Sequence, residues 1–291
     1  MDFSYSEEQQ MLRDSIGKFI SQDYDFDSRR AIVDSDTGYS MEHWKTFAEL
    51  GWLTVPFKET DGGFGGSAGD LMVGMEEFGK GLLVEPFLAN TVLAGTGLSE
   101  AANEQQKQTL LQPLMEGNLQ LAFAFAEPQS RYQLADVQCS GQIEDNQIVI
   151  NGHKAVVLNG EAADKLLVSV RTSGQTTERH GISLIVVDAD SAGISHRAYT
   201  NVDGHRAADI WFDQVTVPVS NLLGEADKAI EIIEMVIDRA ALAVCAEAVG
   251  AMQISLERTV EYTKIRKQFG VTLASFQALQ HRMARMFMEV E

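Results

Sequence analysis

Apolar residues change their spacing twice along the chain. Up to about residue 119 they recur at helical intervals. Ser6-Glu7-Glu8-Gln9 opens a segment that places Leu12, Ile16, Phe19 and Ile20 on one face, which predicts an amphipathic helix with a capped start. The same period predicts helices over 41–50 and 68–80. Between them lies Asp61-Gly62-Gly63-Phe64-Gly65-Gly66. A phosphate-cradling loop would need a following Lys-Ser/Thr pair framed by a strand and a helix. The sequence supplies neither, so these glycines read as a plain loop.

From about 120 to 224 the period becomes alternating. Strands are predicted over 121–125, 147–150, 154–158, 165–171, 181–187, 209–212 and 215–217, bounded by turn signals such as Glu144-Asp145-Asn146 and Asn151-Gly152. Short strands at this spacing, uninterrupted by a long helix, predict an antiparallel barrel or sandwich rather than a doubly wound sheet. From 225 the helical period returns. A proline-free stretch, 227–267, carries an apolar stripe through Ile230, Ile233, Val236 and Ile237 and on through Leu242, Cys245, Val249, Met252, Leu256 and Val260. Phe269-Gly270 ends it. Ser275 opens a second helix over 276–291, with Leu279, Met283, Met286 and Phe287 on one side. Two helices make an unfinished bundle. Their faces are expected to pack on the first zone, on another subunit or on further residues. The fold class expected is α+β multidomain: an N-terminal helical bundle (1–119), a middle antiparallel β domain (120–224) and an incomplete C-terminal helical bundle (225–291).

Composition narrows the functional classes. A formal net charge of -19 has the wrong sign for a generic binder of nucleic acid or of an anionic membrane surface. An anionic ligand would need a local cluster of donors, which Lys264, Arg266 and Lys267 supply. No run approaches the roughly 18 apolar residues of a membrane span. The segment from Met1 to Glu8 is acidic and lacks an apolar run, so no secretory signal is expected. Cys139 and Cys245 stand far apart, outside any CxxC pair, and the six histidines have no ligand spacing. Two free, buried thiols in a reducing, cytoplasmic setting and no metal site are expected.

Four local sequences give this layout chemical content. Ala126-Glu127-Pro128-Gln129-Ser130-Arg131-Tyr132 resembles the Thr-Glu-Pro-Gly-Ala-Gly-Ser motif of the acyl-CoA dehydrogenase family. Gly152-His153-Lys154-Ala155-Val156-Val157-Leu158-Asn159-Gly160 resembles that family's Gly-x-Lys-x-Trp-Ile-Thr-Asn-Gly strand. Ala246-Glu247-Ala248-Val249-Gly250, followed by Tyr262-Thr263-Lys264-Ile265-Arg266-Lys267-Gln268-Phe269-Gly270, resembles its Tyr-x-x-x-Arg-x-x-Phe-Gly segment. Ser275-Phe276-Gln277-Ala278-Leu279-Gln280 comes next at the family's interval. Each motif alone is weak; their joint order and spacing make the resemblance specific. The wording of the first two is similar to the small-subunit branch typified by pimeloyl-CoA dehydrogenase, which works beside a different large subunit.

The resemblance implies an FAD-dependent oxidoreductase of fatty acid metabolism that desaturates an acyl-CoA thioester between its α and β carbons. In the family a carboxylate removes the α-proton while the β-hydrogen leaves as hydride to flavin N5. By the same resemblance Phe123, Phe125 and Ala126 lie along the flavin, and Val156, Val157 and Leu158 lie beside it. Ala126 lacks the motif's threonine hydroxyl, and Val156 and Leu158 replace its Trp and Thr. Arg266, Gln268, Phe269 and Gln277 are assigned to the FAD of a neighbouring subunit, with Arg266 on the pyrophosphate, where a guanidinium fork suits phosphate oxygens. Tyr132, Asp238 and Arg239 are assigned to acyl-CoA. The helix position that carries the base in some relatives is Ala240, and the neighbouring arginine position is Ala241. The commoner base, a glutamate further on, would fall after Glu291. No catalytic residue is therefore assigned. The expectation is an FAD-binding acyl-CoA dehydrogenase subunit in a homo- or hetero-oligomer with a similar subunit. The alternative is a non-catalytic subunit that supports a homologous catalytic partner.

Overall fold

A computed structural model describes residues 4–291; of the N-terminal segment read above, Met1, Asp2 and Phe3 lie outside the described residues. The chain begins with helices α1 (Glu7–Asp23), α2 (Phe26–Val33), α3 (Met41–Glu49) and α4 (Ala68–Gly81). Short helices α5 (Thr96–Ala101), α6 (Glu104–Gln106) and α7 (Gln112–Met115) alternate with π-helical turns at Phe87–Gly95 and Lys107–Leu111. Strands β1 (Leu121–Ala124), β2 (Ser140–Glu144), β3 (Gln147–Leu158), β4 (Lys165–Arg171), β5 (Ile182–Asp188), β6 (Ile194–Thr200), β7 (Arg206–Pro218) and β8 (Leu222–Leu223) follow. Helix α8 (Ile230–Ile265), a small hairpin of β9 (Lys267–Gln268) and β10 (Val271–Thr272), and helix α9 (Gln277–Val290) complete it. Ser6 starts α1 as a capping box: its hydroxyl accepts from Gln9 N–H at 3.2 Å and its own N–H donates to the Gln9 side chain at 3.1 Å.

The chain divides into two compact units. One gathers residues 4–29, 69–83 and 242–291. Its core is built from Ile16 and Phe19 of α1, Leu71, Val73, Met75 and Phe78 of α4, and Ala243 and Ala246 of α8. Gly79 and Gly250 set its spacing. A Cβ on Gly79 would stand 2.0 Å from Glu247 O, and one on Gly250 would stand 1.9 Å from Glu76 O. The two helices therefore meet backbone to backbone, and glycine is the residue this approach admits. In the same unit Glu77, buried on α4, accepts from Arg13 at 3.0 Å and from Lys80 at 2.6 Å, so its charge is paired from two sides.

The other unit holds residues 30–68 and 84–241. Its sheet runs β6-β7-β3-β2-β4-β5-β8, with β1 added along β4. Most neighbours are antiparallel, as the alternating pattern predicts. The exceptions are β1–β4 and the single β2–β4 rung, which are parallel. The chain between β1 and β4 is long enough to hold the β2–β3 hairpin, and such a connection brings a strand back in the same direction. The predicted strands at 147–150 and 154–158 are one strand, β3; those at 209–212 and 215–217 are one strand, β7. The π-helical turn is tied to the start of the sheet by Asn90, whose side-chain oxygen accepts Leu121 N–H at 2.7 Å. The glycine cluster is a loop folded on its own neighbours, since a Cβ on Gly66 would come within 1.7 Å of Val55 O. Cys139 is buried as expected; Cys245 is exposed, because the stripe it seemed to join turns out of the helix's packed face by that position.

Candidate functional site

The centre of the sheet unit is charged. Lys154 on β3 is 0% exposed, and its ammonium donates to Glu127 Oε1 at 2.7 Å, Ser169 Oγ at 2.9 Å and Phe125 O at 3.4 Å. Glu127, just beyond β1, also accepts from Gln138 N–H at 2.8 Å, Cys139 N–H at 3.1 Å and the Gln129 amide at 2.8 Å. Burial alone would raise the Glu127 carboxyl, but the Lys154 ammonium and these hydrogen bonds outweigh it and hold it below the usual glutamate range. Burial pushes the neighbouring Cys139 thiol up to about 11. The pair locks the chain after β1 to the second half of β3, and Ala155 N–H donating to Ala126 O at 2.9 Å adds a backbone rung at the same place. The two motifs that carry this pair lie 27 residues apart, and nothing along the chain itself joins them. The available signal was a lysine in a strand and a glutamate just past another, each beside apolar strand residues, which burial tolerates only as partners.

Just past Lys154 the strand bulges. Lys154 pairs with Ile210 and Val157 with Ala208, so Ala155 and Val156 together face Asp209 alone. The extra residue resets the alternation: Lys154 and Val157 both point into the core, and Val156 is turned out, 53% exposed. Its backbone is left-handed, φ 53°, and its N–H donates to Asp209 Oδ1 at 3.2 Å. Asp209 also accepts from Arg197 at 2.6 Å and from the Tyr199 hydroxyl at 3.1 Å. Beside the bulge an open groove of ≈ 700 Å³ is lined by Pro128, Ala155, Val156, Ala198, Tyr199 and Arg197. Along one edge His153 stacks on Trp211 with ring centres 4.4 Å apart.

The structure distributes the expected site residues among distinct environments. Phe123 is buried and Phe125 half-buried, their rings 5.3 Å apart, with Ala126 next to them. Val157 is buried in the sheet core, so only its backbone is available to a ligand, while Leu158 is half-buried. Tyr132 is 97% exposed on the loop after β1. On α8, Asp238 is exposed, Arg239 half-buried and Ala240 buried. In the other unit Arg266 leaves the end of α8, and Gln268 and Phe269 occupy the β9–β10 hairpin. Phe269, also left-handed at φ 52°, stands edge-on to Phe276 at 6.2 Å; Gln277 begins α9. All four of these ligand candidates are exposed. Among the described residues no group of His, Cys, Asp and Glu could hold a metal ion, and no helix is long and apolar enough to cross a membrane.

Comparison with known proteins matches this arrangement domain by domain. The family description "Acyl-CoA dehydrogenase, N-terminal domain" fits residues 6–118, the "middle domain" fits 122–215 and the "C-terminal domain" fits 230–291. A probable acyl-CoA dehydrogenase of Bacillus subtilis is 31% identical over 296 residues, covering 100% of this chain and 77% of that protein. A short-chain-specific acyl-CoA dehydrogenase of Clostridium acetobutylicum is 29% identical, again covering 100% of this chain and 77% of the relative. The solved butyryl-CoA dehydrogenase of Megasphaera elsdenii superposes with a TM-score of 0.89 at 27% identity, covering 100% of this chain and 77% of its own. Helices, sheet and helices thus recur in the same order in proteins aligned along the whole of this sequence, and the chain belongs to the acyl-CoA dehydrogenase family.

Proposed function

We propose that this chain is an FAD-binding subunit of an oligomeric acyl-CoA dehydrogenase, acting on the bond between the α and β carbons of an acyl-CoA thioester. The observation that carries this reading is the groove at the β3 bulge. Its walls are the apolar faces of Pro128, Ala155, Val156 and Ala198, and its rim carries the Tyr199 hydroxyl and the Arg197 guanidinium. That chemistry suits a planar, largely apolar ring system with a polar edge. FAD bound there supplies the acceptor for the β-hydrogen, delivered as hydride.

The chain's own residues have the remaining tasks. The backbone of Phe125 and Ala126 and the β3 segment of Val156, Val157 and Leu158 hold the ring, with the Glu127–Lys154 pair keeping the two segments in register. Arg266, Gln268, Phe269 and Gln277 supply a separate cationic and aromatic surface suited to a pyrophosphate and an adenine, respectively. Tyr132, Asp238 and Arg239 are the substrate contacts of this reading. Val156 and Leu158 offer no indole cover and no hydroxyl, so the ring is held more by backbone than in relatives carrying Trp and Thr there.

A second reading is favoured by α8. Residue 240 is a buried alanine, residue 241 is also alanine, and Asp238 is exposed, so this stretch presents no shielded carboxylate to take an α-proton. In that reading the chain binds FAD and supports a homologous catalytic partner, the hetero-oligomer of the small-subunit branch. Spectroscopic titration of the purified chain with FAD tests what the two readings share. Saturable uptake with a perturbed flavin spectrum is expected, and a chain that takes up no FAD overturns both. Reduction of the bound flavin by an acyl-CoA with this chain alone overturns the second.

A further inference from the structure

Val156 stands out among the strained backbone positions. Among the described residues it is the one β-branched residue with a positive φ, 53°. The bulge position it occupies favours glycine, because a branched Cβ crowds the backbone there. Such a conformation persists only where its surroundings over-determine it. Here the determinant is visible. Asp209, the single residue opposite the bulge, is 8% exposed, and its carboxylate accepts the Val156 N–H at 3.2 Å. The carboxylate is itself oriented by Arg197 at 2.6 Å on one oxygen and by Tyr199 at 3.1 Å on the other.

We infer that Asp209 is a positioning residue: by clamping Val156 in its left-handed conformation, it sets the shape of the ligand-facing bulge of β3. The inference rests on the reading that FAD lies against this strand. Burial alone would raise the Asp209 carboxyl, but the hydrogen bonds from Val156 N–H, Arg197 and Tyr199 outweigh it and hold it below the usual range. The carboxylate is therefore the charged acceptor that the clamp uses. Without it, residue 156 relaxes towards extended backbone, the outward-facing side chain and peptide swing away, and the groove loses one wall.

The test is a cycle of substitutions read by FAD affinity and by visible circular dichroism of the bound flavin. Asp209→Ala is expected to weaken FAD binding about tenfold, the scale on which one left-handed non-glycine residue is disfavoured. It is also expected to alter the flavin dichroism. In the Val156→Gly background, where positive φ carries no penalty, Asp209→Ala is expected to change affinity by less than about twofold. An Asp209→Ala protein with unchanged affinity and dichroism overturns the inference. So does a loss that is equally large in the Val156→Gly background, since the role would not then run through the strained residue. Should the parent chain take up no FAD, the functional reading fails instead. The clamp is then decided by thermal unfolding of the same four proteins, with the same expected pattern of loss in the Val156 background and near-indifference in the glycine one.

Discussion

Replacing Lys154 with methionine removes one charge from a place water does not reach. The ammonium is fully buried and makes its closest contact, 2.7 Å, with Glu127. In Lys154→Met the Glu127 carboxylate keeps Gln138 N–H, Cys139 N–H and the Gln129 amide as donors but loses its counter-charge. Breaking one partner of a buried pair costs about 3–5 kcal/mol, and the three remaining donors place this case near the lower end. Glu127→Gln is the worse cut. It leaves a buried ammonium with no counter-charge, only the neutral amide oxygen, Ser169 Oγ and Phe125 O as acceptors, and about 4–5 kcal/mol is expected. Changing both together leaves no buried charge, only an amide facing three N–H donors, for which about 1–3 kcal/mol is expected. The double variant should therefore cost at least about 4 kcal/mol less than the sum of the singles. Urea unfolding of the four proteins, followed by far-ultraviolet circular dichroism, measures each term. The account of the site's core is refuted if Lys154→Met costs under about 1 kcal/mol, or if the two substitutions simply add.

Other expectations follow from single features. Gly250→Ala puts a methyl where α4 and α8 touch backbone to backbone, 1.9 Å from Glu76 O, and should destabilise by about 2–3 kcal/mol or more in a denaturant titration; a neutral result would mean the helices do not meet there. The depressed Glu127 pKa gives stability that is fully present above the ordinary glutamate range and is lost as pH falls through the lower folded value. The acid limb of stability should therefore flatten in the Glu127→Gln, Lys154→Met double variant, as a pH series of urea midpoints will reveal. Cys139, its thiol raised to about 11 by burial, should resist thiol reagents in the native protein and react promptly in denaturant, which mass mapping of the labelled peptide can check. Arg266→Ala should weaken FAD retention on gel filtration; undiminished retention would remove Arg266 from the site.

The helical elements were largely legible because their apolar residues keep one period over several turns. The start of α1 at Ser6 and the long α8 followed directly from capping and periodicity. Apart from the two-residue strands β8, β9 and β10, two strands left no comparable trace. In β2 only Gly141 is buried, and β6, at the sheet's end, exposes most of its side chains, so neither carries an apolar alternation. The π-helical turn at Phe87–Gly95 is mostly apolar and buried on nearly every side, its polar Asn90 and Thr91 included, which erases any face-dependent signal. Asn151-Gly152 looked like a turn because the same residue types mark bulges, and a register shift within β3 is what it marks here. The site divides the same way. The motif residues could be pointed to one at a time, but Asp209 acts across the β3–β7 register, which appears only once the sheet is assembled. Nothing in the alternation of Val156, Val157 and Leu158 announces that the middle residue turns inward and the first turns out.

Anaerobic titration of the FAD-loaded chain with acyl-CoA thioesters of graded length tests the functional account most directly. Loss of the flavin's visible absorption with at least one thioester, and formation of the corresponding α,β-unsaturated product, is the result this account expects. A flavin that dithionite bleaches but that no thioester reduces would contradict it.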